Sequence, residues 1–225
     1  MGALAGTRVG TVACTDADAG VDGQLARFQV LQDTSGGFFS VDDSGNVLLL
    51  QKLDYELGFR EASLLVLCFD GGSPSQAGTG VLSITVTDSN DNMPTANASL
   101  LTLAVPENAV VGQHLATVLL EDQDADTTFA ATAVVGNSNG VVALHIAPTS
   151  STSAPSAALL HLSLGASLDF EQAESAYVAI VVSDGASRVL VSLSIQVEDV
   201  NEFPPVISVL PASEPLVVSE AAEVG

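Results

Sequence analysis

The strongest constraint on the fold of this chain is that its motifs occur twice, in the same order, about 110 residues apart. Thr15-Asp16-Ala17-Asp18 returns as Glu121-Asp122-Gln123-Asp124, and Leu53-Asp54-Tyr55-Glu56 as Leu168-Asp169-Phe170-Glu171. Cys68-Phe69-Asp70-Gly71 returns as Val182-Ser183-Asp184-Gly185, and Pro106-Glu107-Asn108 as Ser219-Glu220-Ala221. The densest motif is Asp88-Ser89-Asn90-Asp91-Asn92-Met93-Pro94, which returns as Asp199-Val200-Asn201-Glu202-Phe203-Pro204. A conserved order of several motifs describes tandem copies of one structural unit. The copies span 1–93 and 94–203, and 204–225 reads as the first strand of a truncated third.

Short apolar segments between turn residues indicate the class of unit. Val81–Thr87 and Val189–Val197 alternate apolar and small polar residues. Leu64–Phe69 and Tyr177–Val182 are short continuous apolar runs before a turn. Asp43-Ser44-Gly45-Asn46 between two apolar runs reads as a hairpin turn. With no sustained helical period, the expectation is all-β: two tandem antiparallel sandwiches. Ala147–Ser156, rich in Ser, Thr, Pro and Ala, is expected to be a flexible loop.

The chain carries 27 acids against 5 basic residues, a formal net charge of -22. Nucleic acid is excluded as a partner, because phosphate binding needs Lys and Arg. A hydrophobic content of 47% is enough for packed cores, so this is not a disordered acidic tail. No run of apolar residues is long enough to span a bilayer. The start, Met1-Gly2-Ala3-Leu4-Ala5-Gly6, lacks a signal-peptide pattern and a myristoylation pattern.

The repeated linker is chemically specific. Two carboxylates 4 Å apart repel by about 1 kcal/mol in water and about 4 kcal/mol at an effective dielectric of about 20. Several converging acids therefore call for a cation. Calcium takes about six to eight oxygens from carboxylates, amides, carbonyls and water, and the linker offers that mixture. No Cys/His constellation favours zinc, and His114, His145 and His161, spread along the second copy, read as structural or solvated side chains. An EF-hand starting at Asp122 fails, since Thr127 stands where that loop needs Gly and Ala133 where it needs Glu. Asp54/Glu56 and Asp169/Glu171 have the composition of a glycosidase acid pair. Their duplication argues against a catalytic role, and no enzyme activity is expected. A solvated Asx-rich turn is the plainer reading of Asp88, Asn90 and Asp91, but it leaves the recurrence unexplained. Asn97-Ala98-Ser99 is a sequon, so Asn97 is a candidate N-glycan site.

Together these residues resemble the cadherin superfamily, nearest in style to Fat-like or cadherin-related multi-repeat members. The resemblance rests on Pro106-Glu107-Asn108, both Asp-x-Asp motifs, both Leu-Asp-aromatic-Glu motifs, Asp70-Gly71, Asp184-Gly185 and both linkers. It implies Greek-key sandwiches of immunoglobulin-like topology with Ca2+ at the joints. Carried over residue by residue, two ions at the first joint would use Asp54, Glu56, Asp88, Asp91, the Ser89 carbonyl and Asp124. A third would use Asn90, the Asn92 carbonyl, Asp122, Asp124 and Asp184. The second joint would use Glu107, Asp169, Glu171, Asp199, Asn201 and Glu202. Its third ion is not expected, because the ligands of a following repeat lie beyond residue 225.

Two departures thin the first joint. Met1 stands where Glu107 stands in the second copy. The Gly20-Val21-Asp22-Gly23 turn of the first copy is replaced by Asp126-Thr127-Thr128-Phe129. Fewer calcium ligands than usual are therefore expected there. Asp70 reads as an ordinary turn residue before Gly. Cys14 and Cys68 each precede by two residues an Asp that the sandwich brings to one end, so they form either a disulfide or two buried free thiols. The resemblance further implies calcium-dependent cell–cell adhesion with another cadherin-type ectodomain, either homophilic or with a related protein. It places the chain outside the plasma membrane, in a larger single-pass protein. The alternative is a rigid spacer or mechanical segment.

Overall fold

The computed structural model describes residues 5–18, 20, 24–125, 127–149 and 155–207. The 204–225 segment therefore lies almost wholly outside the described residues, as do Met1, Val21–Gly23 and Asp126. Among the described residues, fourteen strands make four sheets around two separate cores.

In the first sandwich, β1 (Arg8–Thr11), β4 (Asn46–Leu49) and β3 (Phe39–Val41) form one sheet, in that order. Its partner sheet is β2 (Leu25–Asp33), β5 (Glu61–Asp70) and β6 (Ala77–Thr85). The run Leu64-Leu65-Val66-Leu67 looks uniformly apolar, yet the pleat sorts it. Ala62, Leu64, Val66 and Cys68 face the core, and the residues between them do not. They pack with Phe28, Phe39, Val47 and Leu49. The β3–β4 hairpin turns at Asp42, whose Oδ1 accepts from the Ser44 and Asn46 amides at 2.9 and 2.8 Å. Gly45 there has φ +78°, and a Cβ would strike the Val12 carbonyl, so glycine is required. Cys14 and Cys68 are joined as a disulfide with 6.5 Å between Cα atoms.

The second sandwich pairs β11 (Val142–Pro148), β12 (Ser156–Leu164), β9 (His114–Asp122) and β7 (Thr95–Ala96) in one sheet. The other sheet is β10 (Ala130–Val135), β13 (Ser175–Ser183), β14 (Arg188–Glu198) and β8 (Leu100–Pro106). Strict alternation along β12 buries Ser156, Ala158, Leu160, Leu162 and Leu164. Two expectations are refined. The β8–β14 pair is parallel, so this sheet is mixed rather than wholly antiparallel. The Ala147–Ser156 loop is shorter than its composition suggested. Pro148 pairs with Ala158, and Ser156 with Asp122, because the β-ladder extends into both of its ends. Residues 150–154 lie outside the described residues.

The two sandwiches differ at one edge. In the second, β8 covers the flank of β14, and Val191, Leu193 and Ile195 are fully buried. In the first, no described strand lies beyond β6. Val81 is 69% exposed, and Val9, Phe39, Val47, Leu82 and Ile84 line an apolar groove of about 460 Å³. Amides of an edge strand open without breaking a second ladder. Hydrogen exchange is therefore expected to be on the order of 100-fold faster, or more, along β6 than along β14. Equal protection of the two strands would contradict this account.

Candidate metal centre

Each sandwich ends in a turn built around the Asp of its Leu-Asp-aromatic-Glu motif. Asp54 Oδ1 accepts the Leu57 amide at 3.0 Å, and Asp169 Oδ1 accepts the Gln172 amide at 2.9 Å. The same local hydrogen bond in both copies fixes where Glu56 and Glu171 emerge. The Asp-x-Asp turns are equally alike: Asp18 N donates to Asp16 Oδ1 at 2.9 Å, and Asp124 N to Asp122 Oδ1 at 3.0 Å.

At the first joint, carboxylate oxygens of Glu56, Asp88 and Asp124 lie within 4.8 Å of one another. Glu56 and Asp88 precede Met93, and Asp124 follows it, so the cluster joins both sandwiches. Asp88 Oδ2 accepts from the Ala125 amide. Asn92 binds Asp124 twice, through its backbone N at 3.1 Å and its Nδ2 at 2.7 Å. Asn90 Nδ2 donates to the Asp184 carbonyl at 3.2 Å. Asp54, Ser89 and Asp91 line the adjoining cleft of about 540 Å³ together with Gln123 and Lys52. Asp122 and Asp124 are buried, whereas Asp16 and Asp18 are exposed.

At the second joint, Glu107, Asp169 and Glu171 form the corresponding group. Glu107 is buried and clamps two segments: Oε2 accepts from Phe170 N and Oε1 from Val200 N, both at 2.7 Å. Glu107 thus ties the start of its sandwich to the Asp169 turn and to the outgoing linker. Asp199, Asn201 and Glu202 stand exposed beside it. Asp70 holds its own turn, its Oδ1 accepting from Gly72 and Gln76 at 3.2 and 2.7 Å. Asn97 is exposed, with Oδ1 accepting the Leu119 amide at 2.9 Å.

A model of the cadherin domain matches residues 2–87. Protocadherin Fat 4 of Mus musculus is 31% identical over 204 residues, covering 88% of this chain and 4% of that protein. Protocadherin-16 of Rattus norvegicus is 29% identical over 201 residues, covering 88% of this chain and 6% of that protein. The crystal structure of mouse Cadherin-23 EC22-24 superposes with a TM-score of 0.69 at 25% identity, covering 89% of this chain and 62% of that one. The chain belongs to the cadherin family. It spans only a small part of the length of the curated relatives it matches.

Family and fold together describe an extracellular cadherin-repeat region with acidic clusters at its linkers. Among the described residues no helix is long and apolar enough to cross a membrane. What distinguishes the first cadherin joint is uncompensated charge. Glu56 Oε1, Asp122 Oδ2 and Asp184 Oδ2 are buried without a hydrogen-bond partner. Burial pushes the Glu56 carboxyl above its ordinary value, and the hydrogen bond and charge of Asp88 add to this. Burial likewise raises Asp122, reinforced by the charges of Asp124 and Asp184. At the second joint, local desolvation and the charges of Glu107, Glu171, Asp169 and Asp199 raise Glu202. An orphaned buried acceptor costs about 1–3 kcal/mol, more when charged. Oxygen-only donors with unmet demand fit a hard cation.

These upward shifts set the sign of the joint's own contribution to the pH response without metal. The folded chain holds protons that the unfolded chain releases. Stability linked to Glu56 and Asp122 is fully present below the unfolded carboxylate values and is lost as pH rises through the folded ones. In chelator, the melting temperature is therefore expected to rise as pH falls from about 7 toward about 5. A steady fall over that interval would contradict the assignment.

Sequence reasoning passed over three contributors: the Ala125 amide, Gln123 and Lys52. Backbone donors carry no side-chain signature, Gln123 fills the variable position of an Asp-x-Asp motif, and a lone Lys gives no motif.

Proposed function

We propose that this chain is a calcium-rigidified adhesion segment. The carrying observation is the set of orphaned buried oxygens on Glu56, Asp122 and Asp184, contributed from both sides of one joint. Asp54, Glu56, Asp88, Asp91, the Ser89 carbonyl and Asp124 would hold one pair of ions. Asn90, the Asn92 carbonyl, Asp122, Asp124 and Asp184 would hold a third. Glu107, Asp169, Glu171, Asp199, Asn201 and Glu202 would serve the second joint. The repeat units implied are 1–93, 94–203 and the start of a third from 204. Bound calcium supplies the positive charge that this all-oxygen, strongly acidic donor set lacks.

The chain's own residues then set the geometry. Asn92 and Asp124 lock the linker to the second repeat, Asn90 reaches the Asp184 carbonyl, and Asp88 holds the Ala125 amide. A joint whose carboxylates repel one another bends, and one whose charge is neutralised holds a single orientation. Such a rod presents a fixed surface to another cadherin-type ectodomain, of the same or a related protein, at the cell surface. Asn97 is proposed to carry an N-glycan, its Oδ1 already committed to Leu119 N.

A titration by calorimetry tests the calcium reading: several ions bind per chain, and Asp91→Ala loses most of the first-joint heat. Unchanged binding in that variant sinks the assignment of Asp91. Bead aggregation with and without calcium tests adhesion. A second reading is a rigid spacer, favoured by the chain's matching only 4% and 6% of two long relatives. Beads that bind calcium yet never aggregate select it.

A further inference from the structure

Arg60 is an exposed cation on a rigid mount. Its neighbour Phe59 stacks on Phe38, with ring centroids 4.8 Å apart, and tilts against Phe39 of β3 at 6.2 Å. Phe39 belongs to the first core. The Arg60 carbonyl accepts the Val86 amide at 2.8 Å, and Glu61, which begins β5, pairs with Thr85 of β6. The backbone around Arg60 is thus pinned by the core on one side and by the strand leading to Asp88 on the other. From this mount the guanidinium lies over the Tyr55 ring, 4.3 Å from its centroid. Its Nη1 also donates to the Tyr55 hydroxyl at 3.2 Å. Tyr55 stands between Asp54 and Glu56 and lines the first-joint cleft with them.

We propose that Arg60 is a positioning residue of the first metal centre: by clamping Tyr55 it holds Asp54 and Glu56 in binding geometry. This inference rests on the calcium reading of that joint.

The second repeat shows another solution to the same problem. There Val197 N donates to the Glu174 carbonyl at 2.9 Å, as Val86 N does to that of Arg60, so Glu174 takes the place of Arg60. Phe170 takes the place of Tyr55 and has no hydroxyl to hold. Its turn is fixed through the main chain instead, with Phe170 N donating to Glu107 Oε2 at 2.7 Å. One turn is held by a carboxylate on the backbone, the other by a guanidinium on the side chain.

Arg60 acts on calcium in two opposed ways. Its charge repels a divalent cation, but at an exposed position solvent and salt screen that repulsion. Its clamp orders two ligands in advance, so calcium does not have to order the turn as it binds. A cation–π contact at an exposed site is worth about 2- to 5-fold in an equilibrium constant. The sign of the change on removing Arg60 therefore tells which action dominates, and the clamp predicts weaker binding.

The test is a calcium titration of the whole chain followed by the Leu57 amide resonance, whose N–H binds Asp54 Oδ1 and so reports the first joint alone. Arg60→Ala should raise the midpoint by about 2- to 5-fold. Arg60→Lys, which keeps a cation for the ring, should recover part of that loss. Tyr55→Ala should raise the midpoint as well, and adding Arg60→Ala to it should change nothing further, because the two act as one unit. In chelator, the Leu57 and Gly58 amides should exchange faster in Arg60→Ala, a readout that needs no metal. Unchanged protection of Leu64 and Val66 on β5 separates a lost clamp from a lost fold. An equal or lower midpoint in Arg60→Ala, with normal binding by the wild type, overturns this inference alone. No calcium response in the wild type overturns the calcium reading and this inference with it.

Discussion

Asp124→Asn is expected to abolish most of the calcium-dependent rise in melting temperature. Asp124 is 1% exposed, takes both donors of Asn92, and faces Glu56 and Asp88 within 4.8 Å. It is thus the residue of the second repeat most deeply built into the first joint. Ligand present at about 100 times its dissociation constant stabilises by about 2.7 kcal/mol per site. For a domain of roughly 100 residues that corresponds to about 10–20 °C. The variant should lose most of this gain. In chelator the expected sign is opposite. Removing one of three facing carboxylates relieves repulsion, so the variant melts at or above the wild type. A merely damaged fold would lower both values. Melts with calcium and with chelator, and protease cleavage near Met93-Pro94, separate the cases. A variant that keeps the calcium rise would remove Asp124 from the site.

The second large effect belongs to the disulfide. Cys14 and Cys68 are 54 residues apart, and closing a loop of that length restrains the unfolded chain by about 4 kcal/mol in the chain-entropy account. Cys68 is also buried in the first core, beside Phe28 and Val66. Replacing both cysteines with alanine should therefore lower the unfolding free energy of the first repeat by about 4 kcal/mol. The second repeat has its own core and no cysteine, so its transition should not move. Denaturant unfolding resolves the two transitions. A first transition unchanged by the substitutions, or by reductant, contradicts the assignment.

Much of the fold was legible because its signals are local. The Asp54 and Asp169 turns make the same hydrogen bond in both copies, as do the Asp16 and Asp122 turns. Such geometry is set by neighbours within a few residues, so repeated letters yield repeated structure. Strand faces were less direct. In Leu64-Leu65-Val66-Leu67 every letter is apolar, and only packing against Phe39 and Val47 decides which side turns inward. The proline of Pro148 suggested a loop, yet the ladder to Ala158 admits it.

The amino-acid sequence by itself determined the tandem architecture, the acidic linkers and the residue types a hard cation needs, because each is a short-range pattern repeated in order. The tertiary structure alone decided which copies of those motifs matter. Asp16-Ala17-Asp18 and Asp122-Gln123-Asp124 share one turn, but only the second is buried, against Asn92 and Asp88. It alone decided as well that His161 meets both His145 and His114, the latter 47 positions away in sequence. Strand register, a long-range property set by core packing, brings them together, and no local pattern records it.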